Sequence, residues 1–229
     1  EFQNNAFHGN GIMTLKNGEN FEGEWENGKM NGSGIYTYIN GDKYEGEYKN
    51  GQKDGIGSYY FFNKDYYKGE WSNDLKDGKG VFVYVNGDRY EGEYRNRKMS
   101  GNGTYVFQNG EKYAGQWKNG KFDGQGSFIY SSGNKYEGGW KNDKKFGEGK
   151  YVYKNGESYS GQWVDDYRTG KGVYTYSNGD IYDGYFYKGK LTGQGTYTFV
   201  NKNIYSGGWK DDLRSGNGIL TYINGDKYD

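Results

Sequence analysis

Aromatic residues, glycines and polar residues alternate in this chain on a period of 23 residues. A pentad of the form aromatic-x-Gly-x-aromatic begins at Phe21, Tyr44, Tyr67, Tyr90, Tyr113, Tyr136, Tyr159, Tyr182 and Tyr205, and Tyr228 opens another. All six tryptophans occupy the fifth place of a pentad, at Trp25, Trp71, Trp117, Trp140, Trp163 and Trp209. Self-similarity at a fixed period of this length marks a repeat architecture. With places counted from the leading aromatic, places 3, 12 and 14 are glycine in every complete copy. Place 18 is always Tyr or Phe, and place 16 is too, apart from Leu220. Both aromatic runs step by two residues, which puts their side chains on one face of a strand. Asn-Gly and Asn-Asp pairs, such as Asn27-Gly28 and Asn142-Asp143, separate the two runs, and Asn-Gly-Asp triplets such as Asn40-Gly41-Asp42 follow the second. Such residues accept the positive φ of tight hairpin turns.

The predicted fold is all-β: an elongated, single-layer antiparallel meander of 23-residue β-hairpins, in the manner of a solenoid. The pattern divides it into a truncated repeat over 1–20, nine repeats (21–43, 44–66, 67–89, 90–112, 113–135, 136–158, 159–181, 182–204 and 205–227) and the start of a further one at 228–229. An odd period requires one odd loop or one bulge per repeat, because directly paired residues share a face. Placing a three-residue loop at places 20–22 puts places 1, 3, 5, 12, 14, 16 and 18 on one face. Place 18 then meets the next place 1, and place 16 lies over the next place 3. Two strands per repeat at ~4.8 Å give roughly 9.6 Å per repeat and a span of about 90 Å.

Composition sharpens this picture. Only 32% of the residues are apolar, yet 20% are aromatic, with 43 glycines and no proline. Tyr and Trp must therefore supply the buried area. Lys plus Arg balances Asp plus Glu at 30 each, which gives no footprint for nucleic acid. Without cysteine there are no disulfides and no thiolate metal site. No run of about 18 apolar residues is present. The first residues fall in mid-repeat, so the chain reads as a piece of a longer array.

Candidate chemistry is sparse. His8, the one histidine, lies in a turn of the truncated repeat. The Gly-x-Gly pairs lack the third glycine and the helix of a dinucleotide loop. Asp165-Asp166 and Asp211-Asp212 occupy turn places where other copies carry Asn-Gly, so they read as turn residues. The chain repeats the same residues everywhere, whereas catalysis needs unlike residues at one place. The expectation is a protein that is not an enzyme, with no cofactor and no metal.

The pattern resembles the MORN repeat (membrane occupation and recognition nexus), built on Tyr-x-Gly-x-Trp, a glycine, and His-Gly-x-Gly. The resemblance covers essentially the whole chain. It departs where the histidine survives only as His8 and where place 8 glycine is replaced by Asp74, Arg97, Asp143, Asp166 and Asp212. The resemblance implies an elongated single-layer sheet that acts as a scaffold in the cytoskeleton or at membrane junctions. The Asn-, Lys- and Tyr-rich composition is most similar to protist, apicomplexan-type members.

Two surfaces follow as candidates. One sheet cannot cover its own aromatic face, and its open end strands invite pairing. Self-association as a homodimer, or contact with cytoskeletal proteins, is expected near one end of the array, through Tyr182, Phe186, Tyr205, Trp209, Tyr222 and Tyr228. The alternative is phosphoinositide or other anionic phospholipid binding through a row of basic turns: Lys29, Lys53, Lys76, Lys98, Lys121, Lys144, Arg168, Lys190 and Arg214. Either reading places the protein in the cytoplasm, on the cytoskeleton or at the membrane periphery.

Overall fold

The computed structural model describes residues 1–229 and contains strands but no helix. It divides into two compact units, one of residues 1–110 and 117–120, the other of 111–116 and 121–229. In the first unit, a short hairpin pairs Phe2–Gln3 with Ala6–Phe7. The strands from Gly9–Thr14 to Lys98–Val106 then pair antiparallel in chain order. In the second unit, the strands from Lys121–Ile129 to Lys227–Tyr228 do the same. Each is a single-layer meander that does not close on itself.

The repeat 44–66 shows why these residues pair as they do. Strands Lys43–Lys49 and Gln52–Tyr60 are joined by Asn50-Gly51, at φ 54° and 86°. Two successive positive φ values match the right-handed twist of the flanking strands. Tyr44 lies opposite Tyr59 and Gly46 opposite Gly57, and then the register slips so that Tyr48 faces Lys53. Gly55, at φ 103°, lies within that slip. The Ile56 N–H that the slip frees donates to Glu47 Oε1 at 3.3 Å. The same bond recurs at Ser33–Glu24, Lys79–Glu70, Asn102–Glu93 and Gln125–Gln116. The place-4 acids are therefore bulge caps as well as outward charges.

One detail of the expected register is corrected. Tyr36 pairs with Tyr44 and Gly34 with Gly46, so place 16 rather than place 18 meets the next place 1. The loop has three residues but runs over 39–41, closed by Tyr38 N–H donating to Asp42 O at 2.9 Å. Asn40 Oδ1 accepts from Asp42 N–H at 3.0 Å, and this Asx turn fixes the closure one place early. The slip inside the hairpin moves the register by two and leaves parity unchanged. The single odd loop still puts places 1, 3, 5, 12, 14, 16 and 18 on one face, and place 10 joins them.

The aromatic face also covers itself better than expected. Tyr44, Tyr67 and Tyr90 in the first unit, and Tyr159 and Tyr182 in the second, are fully buried. Glycines 3 and 14 face each other closely enough that a Cβ on Gly69 would sit 2.5 Å from Gly80 Cα. The place-1 ring sinks into the trough this leaves. Tyr44 donates its hydroxyl to Glu47 O at 3.0 Å and makes edge contacts with Tyr48 and Trp71, each at 5.2 Å. Trp71 in turn donates Nε1–H to Gly57 O at 3.2 Å. Each ring is thus flanked by place-5 rings from its own repeat and the next.

Candidate protein-binding surfaces

The basic row splits in two. Lys29, Lys98, Lys121, Lys144 and Lys190 sit at place 9 and are exposed. Lys144 and Lys190 form surface ion pairs with Asp165 and Asp211 at 3.4 and 3.3 Å. Lys53, Lys76, Arg168 and Arg214 sit at place 10, one residue later, and a step of one residue turns a side chain to the opposite face. Their heads lie over aromatic rings instead of projecting from a turn. Lys76 Nζ is 4.5 Å from the Phe82 ring centre and 5.1 Å from that of Tyr67. Arg168 lies over Tyr174 at 5.0 Å and Arg214 over Tyr205 at 4.4 Å. Lys145, which the sequence pattern did not single out, belongs to the same row and lies between Tyr136, Tyr151 and Trp163. Met30, Met99, Phe122 and Leu191 fill this place elsewhere, so the long aliphatic stems serve as cover for the rings.

The place-8 aspartates explain the departures from glycine. Asp74 takes φ 65°, accepts the Lys53 N–H at 2.9 Å and lies 3.8 Å from Lys53 Nζ. Asp166 does the same for Lys145, with its carboxylate 3.2 Å from Nζ. Lys76 has Arg97 in the corresponding place. Burial, with that like charge adding to it, pushes the Lys76 ammonium down to about 8.

Among the aromatics expected to meet a partner, Tyr182, Phe186, Tyr205 and Trp209 are buried within the second unit. They are held there by the ring-on-glycine packing, and only Tyr222 and Tyr228 are exposed, at 41% and 71%. The tyrosine hydroxyls sort by row. Place-1 hydroxyls donate to place-4 carbonyls, as Tyr159 does to Gln162 O at 2.9 Å. Place-16 hydroxyls bond to the preceding turn: Tyr59 donates to Asp42 and Tyr197 to Asp180, both at 2.8 Å, and Tyr151 accepts from Asn134 Nδ2 at 3.0 Å. The place-18 hydroxyls have no such internal acceptor.

The opposite face differs between the units. In the first it carries exposed Glu22, Glu45, Lys68 and Glu91, with exposed Ile12 and Ile56 among them. In the second, the pairings Val173–Asp183, Lys171–Tyr185, Thr198–Ile204 and Ser206–Ile219 place Val173, Ile181, Tyr185, Ile204 and Ile219 together on that face. These five are exposed, from 37% to 49%. The sequence signal was the thinning of the acidic stripe after Glu93, where Thr, Val, Ile and Tyr enter among fewer charges such as Glu137, Lys171 and Asp183. No group of three or more His, Cys, Asp or Glu converges as a metal site would require.

Comparison with curated proteins finds no significant match. Among solved structures, the chain is similar to the TCP10 domain of Danio rerio CPAP, at 11% identity over 95% of this chain and 97% of that one, with a TM-score of 0.48. It is likewise similar to that domain in complex with a peptide of Danio rerio STIL, at 12% identity over 96% and 97%, with a TM-score of 0.49. A catalytically inactive virginiamycin B lyase from Staphylococcus aureus, with quinupristin, is similar at 13% identity over 99% of this chain and 71% of that one, with a TM-score of 0.18. At these values the likenesses carry no argument about function. The MORN repeat family model matches residues 1–19 and then nine consecutive stretches from 21–43 to 205–227. Tandem repeats matched along nearly its whole length make this chain a member of the MORN repeat family.

Proposed function

We propose that this protein is a non-enzymatic scaffold whose repeats hold protein partners, including a second copy of itself. The observation that carries the reading is the cluster of exposed apolar residues on the outer face of the second unit. Exposed Val173, Ile181, Tyr185, Ile204 and Ile219 lie on adjoining strands there, interspersed with Lys171 and Asp183, and exposed apolar area of this kind marks a surface that partners cover. Tyr222 and Tyr228, on the aromatic face near the end of the array, are exposed rings available to a second copy as well. The first unit carries carboxylates on the equivalent face, where stacking of like faces is disfavoured. Light scattering after size-exclusion chromatography at tens of micromolar tests this. A dimer is expected for the native chain and a monomer for Tyr185→Glu with Ile204→Glu. A native monomer, or a dimer unaffected by both substitutions, would contradict it.

The exposed place-9 lysines favour a second reading, binding to anionic phospholipid. Repeats lie about one Debye length apart, so each charge acts nearly alone and many must engage together. Flotation with phosphoinositide vesicles at physiological salt tests it. Charge reversal at Lys29, Lys98 and Lys121 is expected to abolish co-flotation, and no effect would count against it. Either role suits the cytoplasm, the cytoskeleton or the membrane periphery, and the composition suits a protist, apicomplexan-type member.

A further inference from the structure

The place-16 and place-18 rings of the second unit form a continuous ladder. Ring centres are 4.6 Å apart from Tyr151 to Tyr153, 6.2 Å from Tyr153 to Tyr174, 4.7 Å from Tyr174 to Tyr176 and 5.5 Å from Tyr176 to Tyr197. Beside it opens a cleft of about 460 Å³ bounded by Arg168, Tyr174, Tyr176, Leu191, Tyr197 and Trp209. Tyr130, Tyr153 and Tyr176, on three consecutive repeats, are half-buried and their hydroxyls make no hydrogen bond within the protein, yet none is sealed away from solvent. They are a row of donors that the fold leaves unused. The first unit lacks such a row: Tyr38 accepts from Lys53 Nζ at 2.8 Å, and Phe61 and Phe107 carry no hydroxyl.

The spacing selects a ligand. Equivalent rings recur every ~9.6 Å, two strand spacings. A polyproline II helix rises about 3.1 Å per residue with three residues per turn, so its third residues recur every ~9.3 Å. The mismatch reaches only about 1 Å over three repeats. Such a ligand presents free carbonyl acceptors and no internal hydrogen bonds, which is what a row of hydroxyl donors beside flat rings can meet. An α-helix recurs at about 10.5 Å per seven residues and its carbonyls are already bonded. An added strand would need free backbone groups, which the paired ladder does not offer on its face. Charge adds a preference. The Arg168 guanidinium lies over Tyr159 and Tyr174, donates to Gly189 O at 2.8 Å and, like Arg214 over Tyr205, has no carboxylate ion pair, so these two cations outnumber Asp212, the one carboxylate bounding the cleft, which accepts the Leu191 N–H. A segment with an acidic residue beside its prolines is therefore favoured.

We propose that the ring ladder of the second unit, centred on Tyr153 and Tyr176, binds an acidic proline-rich segment in the polyproline II conformation. This rests on the scaffold reading and uses the face opposite to the patch of Val173, Ile181, Tyr185, Ile204 and Ile219, so each can fail alone. The test is calorimetric titration of the full chain with peptides of about 12 residues, long enough for roughly four repeats. The peptides repeat Glu-Pro-Pro, Lys-Pro-Pro or Glu-Gly-Ser. Glu-Pro-Pro is expected to bind, Lys-Pro-Pro to bind more weakly and Glu-Gly-Ser not to bind. Tyr153→Phe with Tyr176→Phe is expected to weaken binding about tenfold, the loss of two ordinary hydrogen bonds. Its melting temperature should stay unchanged, because those hydroxyls have no internal partner. Equal binding of Glu-Gly-Ser, no binding of Glu-Pro-Pro at millimolar concentration, or full affinity in the double variant would overturn the proposal.

Discussion

Replacing Gly57 with alanine tests the ring-and-glycine packing at one atom. Gly57 has no positive φ, so its backbone suits any residue, and alanine there should gain about 0.4–1 kcal/mol from a stiffer unfolded chain. Contact opposes that gain. The new Cβ would lie 2.5 Å from Tyr44 Cε2 and closer still to Cζ and Oη. Tyr44 is fully buried and cannot swing away without leaving its trough. Moving it loses the 3.0 Å bond to Glu47 O, about 1 kcal/mol. It also disturbs two edge contacts, with Tyr48 and Trp71, worth about 0.5–1.5 kcal/mol each. Overpacking strain adds about 1–3 kcal/mol where the ring stays. The net loss is about 3 kcal/mol. Repeats of this kind contact mainly their neighbours, so it should be felt mostly over 44–66 and the adjoining strands. Native-state amide hydrogen exchange reads it directly, as roughly hundredfold faster exchange there. Gly51→Ala is the contrast: nothing lies within 4 Å of its added Cβ and φ is +86°, so only the left-handed backbone cost of about 1–2 kcal/mol applies. Unchanged or slower exchange in Gly57→Ala would refute the packing argument.

Three further outcomes are expected. Tyr48 Oη is buried without a partner, so Tyr48→Phe should leave the melting temperature unchanged or raise it; a clear fall would show a bond that the packing does not contain. Burial, with Arg97 adding, holds the Lys76 ammonium down at about 8, below its ordinary value of ~10.4. The unfolded chain then binds more protons between those values, so stability rises from about pH 8 towards pH 10, where unfolded tyrosines begin to ionise. Lys76→Met should shrink that rise in urea midpoints, leaving the smaller part that burial of Lys53 contributes, and stabilise the protein at pH 7; an unchanged slope contradicts the assignment. Burial opposes ionisation of Asp180, but donors from Tyr197, Asn178 and Val200 outweigh it and hold the carboxyl below its ordinary range. Its contribution is present above the unfolded pKa of ~3.9 and is lost as pH falls through the folded value. Asp180→Ala should cost about 2–3 kcal/mol at pH 7 by stranding the Tyr197 and Val200 donors, and less in acid; an equal cost at both pH values would argue against it.

Much of the fold was legible because a strand has period two. Tyr44, Gly46 and Tyr48 announce one face, and an odd repeat length forces one odd loop. The register was not legible to better than two residues. It depends on Asn40 capping the Asp42 N–H and on a slip capped by Glu47, and neither side chain looks different in sequence from a solvated polar residue. The basic row shows the same limit more sharply. Lys29 and Lys53 both follow a turn, yet one is exposed and the other lies over Tyr38 and Trp71. One residue of offset from the turn decides between them. The unused hydroxyls of Tyr153 and Tyr176 were invisible until the acceptors of the other tyrosine rows were known.

The central claim is that each tryptophan is locked against the glycine trough of the preceding repeat by its own N–H. Trp25, Trp71, Trp117, Trp140, Trp163 and Trp209 donate Nε1–H to Gly11, Gly57, Gly103, Gly126, Gly149 and Gly195 at 3.1–3.4 Å. Hydrogen exchange of the indole protons in ¹⁵N-labelled protein measures that bond residue by residue. All six signals should persist as long as the backbone amides of the strands around them. Indole exchange as fast as that of free tryptophan, beside protected strand amides, would contradict it.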